Sequence, residues 1–117
     1  MKTIEIISIP VTNQERSKEF YLKLGFQIIV EAPMGNGQTW VQLGLPNQAT
    51  SITLVNWYKA MSPGSLQGII LETADIEKEI QELKKKGIEA GKTDNTPWGK
   101  FAPLTDPDGN GLSLHQK

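Results

Sequence analysis

The chain of 117 residues contains no cysteine, which excludes disulfides, cysteine-ligated zinc and thiol nucleophiles. It holds a single histidine, His115, and a Ser-His-carboxylate arrangement cannot be argued from one histidine without geometry. No apolar run approaches the roughly 20 residues that span a bilayer. The first residues, Met1-Lys2-Thr3-Ile4-Glu5, carry a carboxylate inside a short apolar run, unlike a secretory leader. A cytoplasmic protein without a membrane partner is the expectation. Neither sign of charge dominates, with 12 basic and 13 acidic residues. The one lysine run, Lys84-Lys85-Lys86, sits where a helix should end and cations favour the dipole, so no nucleic-acid partner is expected. No phosphate-cradling glycine loop is present.

What the chain does have is ordinary material written twice. Hydrophobic residues make up 38% and charged residues 21%, as in a globular domain. The length suits one domain, which can bury roughly two-thirds of its unfolded surface. Val11-Thr12-Asn13 is followed by a helical stretch and Gly25-Phe26, and Thr73-Ala74-Asp75 by a helical stretch and Gly87-Ile88. Asn13 to Gly25 and Asp75 to Gly87 both span 12 positions, and the copies are offset by 62 (75 − 13). Asn and Asp cap helix N-termini, and glycine takes the left-handed turn just past a helix. Matching start and stop signals at a fixed offset indicate an internal repeat, and the seam of a paired module is a natural ligand cleft.

The first copy reads as a strand from Ile4 to Val11, a helix from Glu15 to Leu24 and a strand from Phe26 to Val30. A turn at Met34–Gly37, strands at Thr39–Leu43 and Ser51–Val55, and a turn at Pro46–Gln48 complete it. Tyr58–Ser65, with Pro63 and Gly64, reads as a linker. The second copy has strands at Gly68–Leu71 and Ile88–Ala90 around a helix at Ile76–Lys86. A strand at Phe101–Leu104 follows, with Pro103 marking an edge or bulge, then a turn at Asp106–Asn110 and a last strand at Leu112–His115. The expected class is α+β: two tandem βαβββ modules (1–57 and 66–117, linker 58–65) forming one cup-shaped, eight-stranded domain.

Phe20-Tyr21 followed by Leu24-Gly25-Phe26, the paired modules, and the closing Asp106-Pro107-Asp108-Gly109-Asn110 resemble the vicinal oxygen chelate superfamily. That group includes glyoxalase I, extradiol dioxygenases and the fosfomycin and bleomycin resistance proteins. Pro97-Trp98-Gly99, and Ala32-Pro33-Met34-Gly35 before Thr39-Trp40-Val41, look like its glyoxalase or bleomycin resistance-like subgroup. The resemblance implies a cup around a small-molecule pocket and a homodimer. In some members each cup is built from modules of two chains. It also implies a test for a metal, because the superfamily's enzymes hold one divalent ion on His, Glu or Gln from the first and fourth strands of each module. The corresponding positions here are Ile6, Thr53, Gly68 and Ser113. An open site needs about three good donors. The expectation is therefore no metal and no cofactor.

The remaining candidates are few. Ser8 and Ile70 share strand parity with Ile6 and Gly68 and should line the cup. Glu72 and His115 are candidate general bases, with a rim carboxylate and a structural histidine as the plain alternatives. Trp98 is in loop context and suits stacking on a planar or cationic ligand, while Trp40 is a candidate for the cup floor. The leading expectation is a metal-free protein that binds a small organic ligand through Ile6, Ser8, Trp40, Thr53, Gly68, Ile70, Glu72, Trp98, Ser113 and His115. The alternative is a lyase, isomerase or dioxygenase, either metal-free with Glu72 or His115 as base or metal-dependent with unconventional ligands. A degenerate scaffold for protein contact is the third reading.

Overall fold

Both helices begin where short side-chain oxygens cap them. In the computed structural model, which describes residues 1–117, the Asn13 side chain accepts from Arg16 N at 3.1 Å and opens α1 (Gln14–Lys23). The Asp75 side chain accepts from Lys78 N at 3.2 Å and opens α2 (Ile76–Lys85). They also end alike. Gly25 (φ +109°) and Gly87 (φ +85°) take the left-handed turn. Phe26 N then donates to Tyr21 O, and Ile88 N to Leu83 O, each closing the last turn while its apolar side chain returns to the core.

The strands form two four-stranded sheets. One orders β1 (Ile6–Pro10), β4 (Ser51–Val55), β3 (Gln38–Gly44) and β2 (Gln27–Gly35); the other orders β5 (Ile69–Glu72), β8 (Gly111–Gln116), β7 (Gly99–Thr105) and β6 (Asp94–Thr96). In each sheet the first strand runs parallel to the fourth and the rest are antiparallel. Ser8 lies opposite Thr53, and Ile70 opposite Ser113. The halves are thus related by offsets of 62 for the first strand (70 − 8) and 60 for the fourth (113 − 53).

Strand alternation divides the sheets into two kinds of face. Ile9, Leu43, Ile52 and Leu54 of the first sheet, and Ala102, Leu104, Leu112 and Leu114 of the second, join Tyr21, Ile76 and Leu83 of the helices in one buried cluster. The alternate positions make the opposite faces. The radius of gyration is 14.6 Å and the extents are 46 × 34 × 25 Å. A compact chain of this length has a radius near 13 Å, so the halves lie side by side.

Two elements differ from the sequence reading. Ile88–Ala90 is not a strand: Ile88 is buried as the apolar residue after the helix stop, and the strand is β6, further on. Asp94 and Asn95 have poor strand propensity and are held by the hairpin partner β7. Pro103 lies beyond the reach of β6, whose pairing stops at Asp94 opposite Phe101, so its missing N–H breaks no ladder.

The halves are pinned together at one end of their seam. Asp106, buried in the Asp106–Asn110 turn, accepts from Tyr21 Oη at 2.9 Å and from Asn110 N and Asp108 N, both at 2.9 Å. Asn110 Nδ2 donates to Asp106 and to Pro10 O, both at 2.8 Å. Asp108 accepts from Thr12 N and Arg16 Nη2, both at 3.2 Å, and from Ser17 Oγ at 3.4 Å. Burial, reinforced by the Asp106 carboxylate, pushes the Tyr21 phenol well above its ordinary value. The ring therefore stays a donor.

Candidate functional site

The opposite face of the first sheet is polar but uncharged. Ser8 and Thr53 hydroxyls meet at 3.3 Å. Trp40 Nε1 donates to Gln42 Oε1 at 3.1 Å, Gln42 Nε2 to Ser51 Oγ at 2.8 Å, and Ser51 Oγ to Glu5 O at 3.2 Å. This relay locks Trp40 in place and leaves no buried side-chain polar atom without a partner. Gln42 was missed by sequence reasoning, although it lies two residues from Trp40 and so shares its face.

The corresponding face of the second sheet carries charge and aromatic rings. Glu72 pairs with His115 across β5 and β8, His115 with Phe101 across β8 and β7, and Phe101 with Asp94 across β7 and β6. These four side chains form one row on one face. The Phe101 and His115 rings stack with centroids 4.2 Å apart and planes within 10°. His115 Nε2 lies 3.0 Å from Trp98 O, which makes the nitrogen the donor. Thr96 Oγ1 donates to Gly99 O at 2.7 Å and accepts from Trp98 N at 3.1 Å. The turn between β6 and β7 is thereby fixed, and it projects the Trp98 indole outward, 77% exposed. Glu72 is exposed and pairs loosely with Lys117 at 3.5 Å.

The four superfamily metal positions do not fit a divalent cation. Ile6 and Gly68 offer no donor atom. Thr53 is 1% exposed with its hydroxyl engaged by Ser8, and the Ser113 hydroxyl has the Ala102 and Leu114 carbonyls as alternative acceptors at 3.4 and 3.2 Å. No three His, Asp or Glu side chains are grouped anywhere to hold an ion. Glu72 and His115 are neighbours in register, but they make two donors at most where an open site needs about three.

Within one chain the two faces do not share a cleft. Ile70 and Glu72 line a cleft of about 500 Å³ with Leu45, Gln48 and Thr73. Ile6, Ser8, Trp40, Thr53, Gly68, Trp98, Ser113 and His115 line none of the principal clefts. The structure brings Ser8 to Thr53, Glu72 to His115, and His115 to Trp98, and keeps the first pair apart from the rest.

A family model described as Glyoxalase/Bleomycin resistance protein/Dioxygenase superfamily matches residues 3–114. The chain belongs to that superfamily. It is similar to the Bacillus subtilis (strain 168) protein YetH, 33% identical over 99% of both chains. Among solved structures it is similar to TnmS3, an antibiotic binding protein from Streptomyces sp. CB03234, at a TM-score of 0.93 and 37% identity over 99% of this chain and 96% of that one. A glyoxalase/bleomycin resistance protein from the same Streptomyces follows at a TM-score of 0.84 and 38% identity, over 95% of this chain and 97% of the other. The superfamily architecture of two βαβββ halves is therefore present throughout. No helix is long and apolar enough to cross a membrane.

Proposed function

We propose that this protein binds a small organic molecule of antibiotic type without changing it covalently, and that it does so as a homodimer. The observation that carries the reading is the likeness to an antibiotic binding protein across nearly the whole chain, joined to donor-poor residues at every superfamily metal position. In the proposed site the Ser8, Trp40, Thr53 face of one chain meets the Ile70, Glu72, Ser113, His115 face of a second, with Ile6 and Gly68 as small or apolar floor and Trp98 at the rim. Three features support a shared cup: the separation of the two faces within one chain, the elongated shape, and the apolar side chains of Ile29, Met34 and Ile70 left about half exposed. An indole held on a fixed turn stacks on a flat ligand at little cost in ordering.

Neither candidate base is desolvated. Glu72 faces water beside Lys117, and His115 is stacked on Phe101 with its Nε2 held by the Trp98 carbonyl. Binding is thus the reading the geometry favours over acid–base catalysis. Titration of a panel of aromatic antibiotics, followed by tryptophan emission and native mass spectrometry, tests it. Saturable quenching with the ligand recovered intact, on a two-chain species, is expected. No response across the panel, or a ligand recovered chemically altered, overturns it.

A further inference from the structure

The pin that closes one end of the seam has no counterpart at the other. By the two offsets, Asp106, Asp108 and Asn110 correspond to Pro46, Gln48 and Thr50 (each minus 60). Tyr21, Ser17 and Thr12 correspond to Leu83, Glu79 and Ala74 (each plus 62). Pro46 has no carboxylate and Leu83 no hydroxyl, so the central bond cannot form. Gln48 makes no side-chain bond to the second half, where Asp108 makes three to the first. The space the turn would have filled is open.

That space is a continuous groove. Three adjoining clefts of about 500, 190 and 70 Å³ all share Leu45 and Leu71. Its walls add Ile7, Phe26 and Ile70 in the middle-sized cleft and Leu24, Leu83 and Leu114 in the smallest. Glu72 and Glu79 both line the smallest cleft, where the Glu79 carboxylate accepts from Thr73 Oγ1 at 3.4 Å, and no lysine, arginine or histidine lines any of the three. Lys117 approaches Glu72 only as a solvent-exposed partner at 3.5 Å, a weak pair that a bound cation displaces. Volumes of this order suit a drug-sized molecule.

We propose that this unpinned end of the seam is a second ligand site, and that it takes a lipophilic organic cation: an apolar ring body against Leu45, Ile70 and Leu71, and a protonated amine between Glu72 and Glu79. The groove shares Ile70 and Glu72 with the proposed cup, but its other walls, Leu45, Gln48, Leu71 and Glu79, belong to neither cup face. It differs from the cup in needing no second chain.

The test uses 1-naphthylmethylamine against its neutral isostere 1-naphthylmethanol, with amide chemical shifts of the full chain as readout at pH 7. Saturable shifts confined to Leu45–Thr50 and Ile70–Glu79 are expected, with the amine binding at least tenfold tighter than the alcohol. Gln48→Lys, an exposed position, and Glu72→Gln should each weaken the amine severalfold more than the alcohol. Equal binding of the two probes overturns the assignment, as do shifts centred on Ser8, Thr53 and Ser113 or no saturable shift at all. Failure here leaves the antibiotic titration to be judged by itself, because that reading predicts perturbation of Trp40 and Trp98.

Discussion

Trp40 and Phe101 hold equivalent places in the two halves, each two residues before the third-strand position that faces Thr53 or Ser113. The indole of Trp40 is tied into its own sheet through Gln42 and Ser51, whereas the ring of Phe101 stacks on His115 between two carboxylates. The caps, the helix stops and the strand order are the same in both halves, and the outward faces keep an aromatic ring and a hydroxyl at equivalent places, but their side-chain bonds and their charge differ. Backbone rules constrain caps and registers strictly, but a sheet's outer face accepts any residue that satisfies its own polar atoms. A duplicated fold can therefore hold its skeleton while each face takes a separate role.

The sharpest way to break the comparison is at the seam. Asp106→Ala removes the acceptor for Tyr21, Asn110 and Asp108 in a buried place. It should cost about 3 kcal/mol or more in urea unfolding. Pro46→Ala, its exposed counterpart, should stay within about 0.5 kcal/mol. Equal losses would contradict the one-ended pin.

Tyr21→Phe leaves the carboxylate its other donors and should cost about 1–3 kcal/mol. The Tyr21 phenol is raised in the folded state, so the unfolded chain loses its proton first as pH climbs. The stability it contributes is complete below pH 10.0, the ordinary phenol value, and declines above it. Wild type should thus lose stability faster than Tyr21→Phe in unfolding curves taken above that pH.

The two hairpin turns differ on a smaller scale. Gly99 (φ +124°) sits against Gln116 O and His115 Nε2, so a methyl there meets backbone as well as strain, whereas Gly37 (φ +75°) has open space around it. Gly99→Ala should cost about 2–3 kcal/mol and Gly37→Ala about 1 kcal/mol. Differential scanning calorimetry of the two variants separates them. The smallest effect should also be the most symmetric. Asn13→Ala and Asp75→Ala each remove one cap bond, and each should cost about 1 kcal/mol. A large difference between them would show that one helix start does more than hold its first turn.

What could be read from the residues was what depends on near neighbours. Asn13 and Asp75, with Gly25 and Gly87, announce their helices because capping is decided within four residues. Ile88 misled for the same reason: a β-branched residue after a glycine looks like the start of a strand, and only its return to the core shows otherwise. Glu72 and His115 were both expected in the cup, but their alignment with Phe101 and Asp94 was illegible because the row spans four strands and depends on three pairings set by packing. Period-two alternation from Ile6 put Ser8 among the cup candidates, whereas its bond to Thr53 depends on the long-range pairing of β1 with β4. The unpinned seam shows only when the bonds made at its two ends are compared, and those bonds join residues far apart in the chain.

The stretch joining the halves, residues 56–65, is largely open to water and makes few attachments of its own. What joins the halves is noncovalent: the Asp106 knot and an apolar interior drawn from both. Severing the polypeptide there should leave two fragments able to find each other and rebuild the whole, so the molecule lends itself to circular permutation or to use as a split reporter whose signal returns on reassembly.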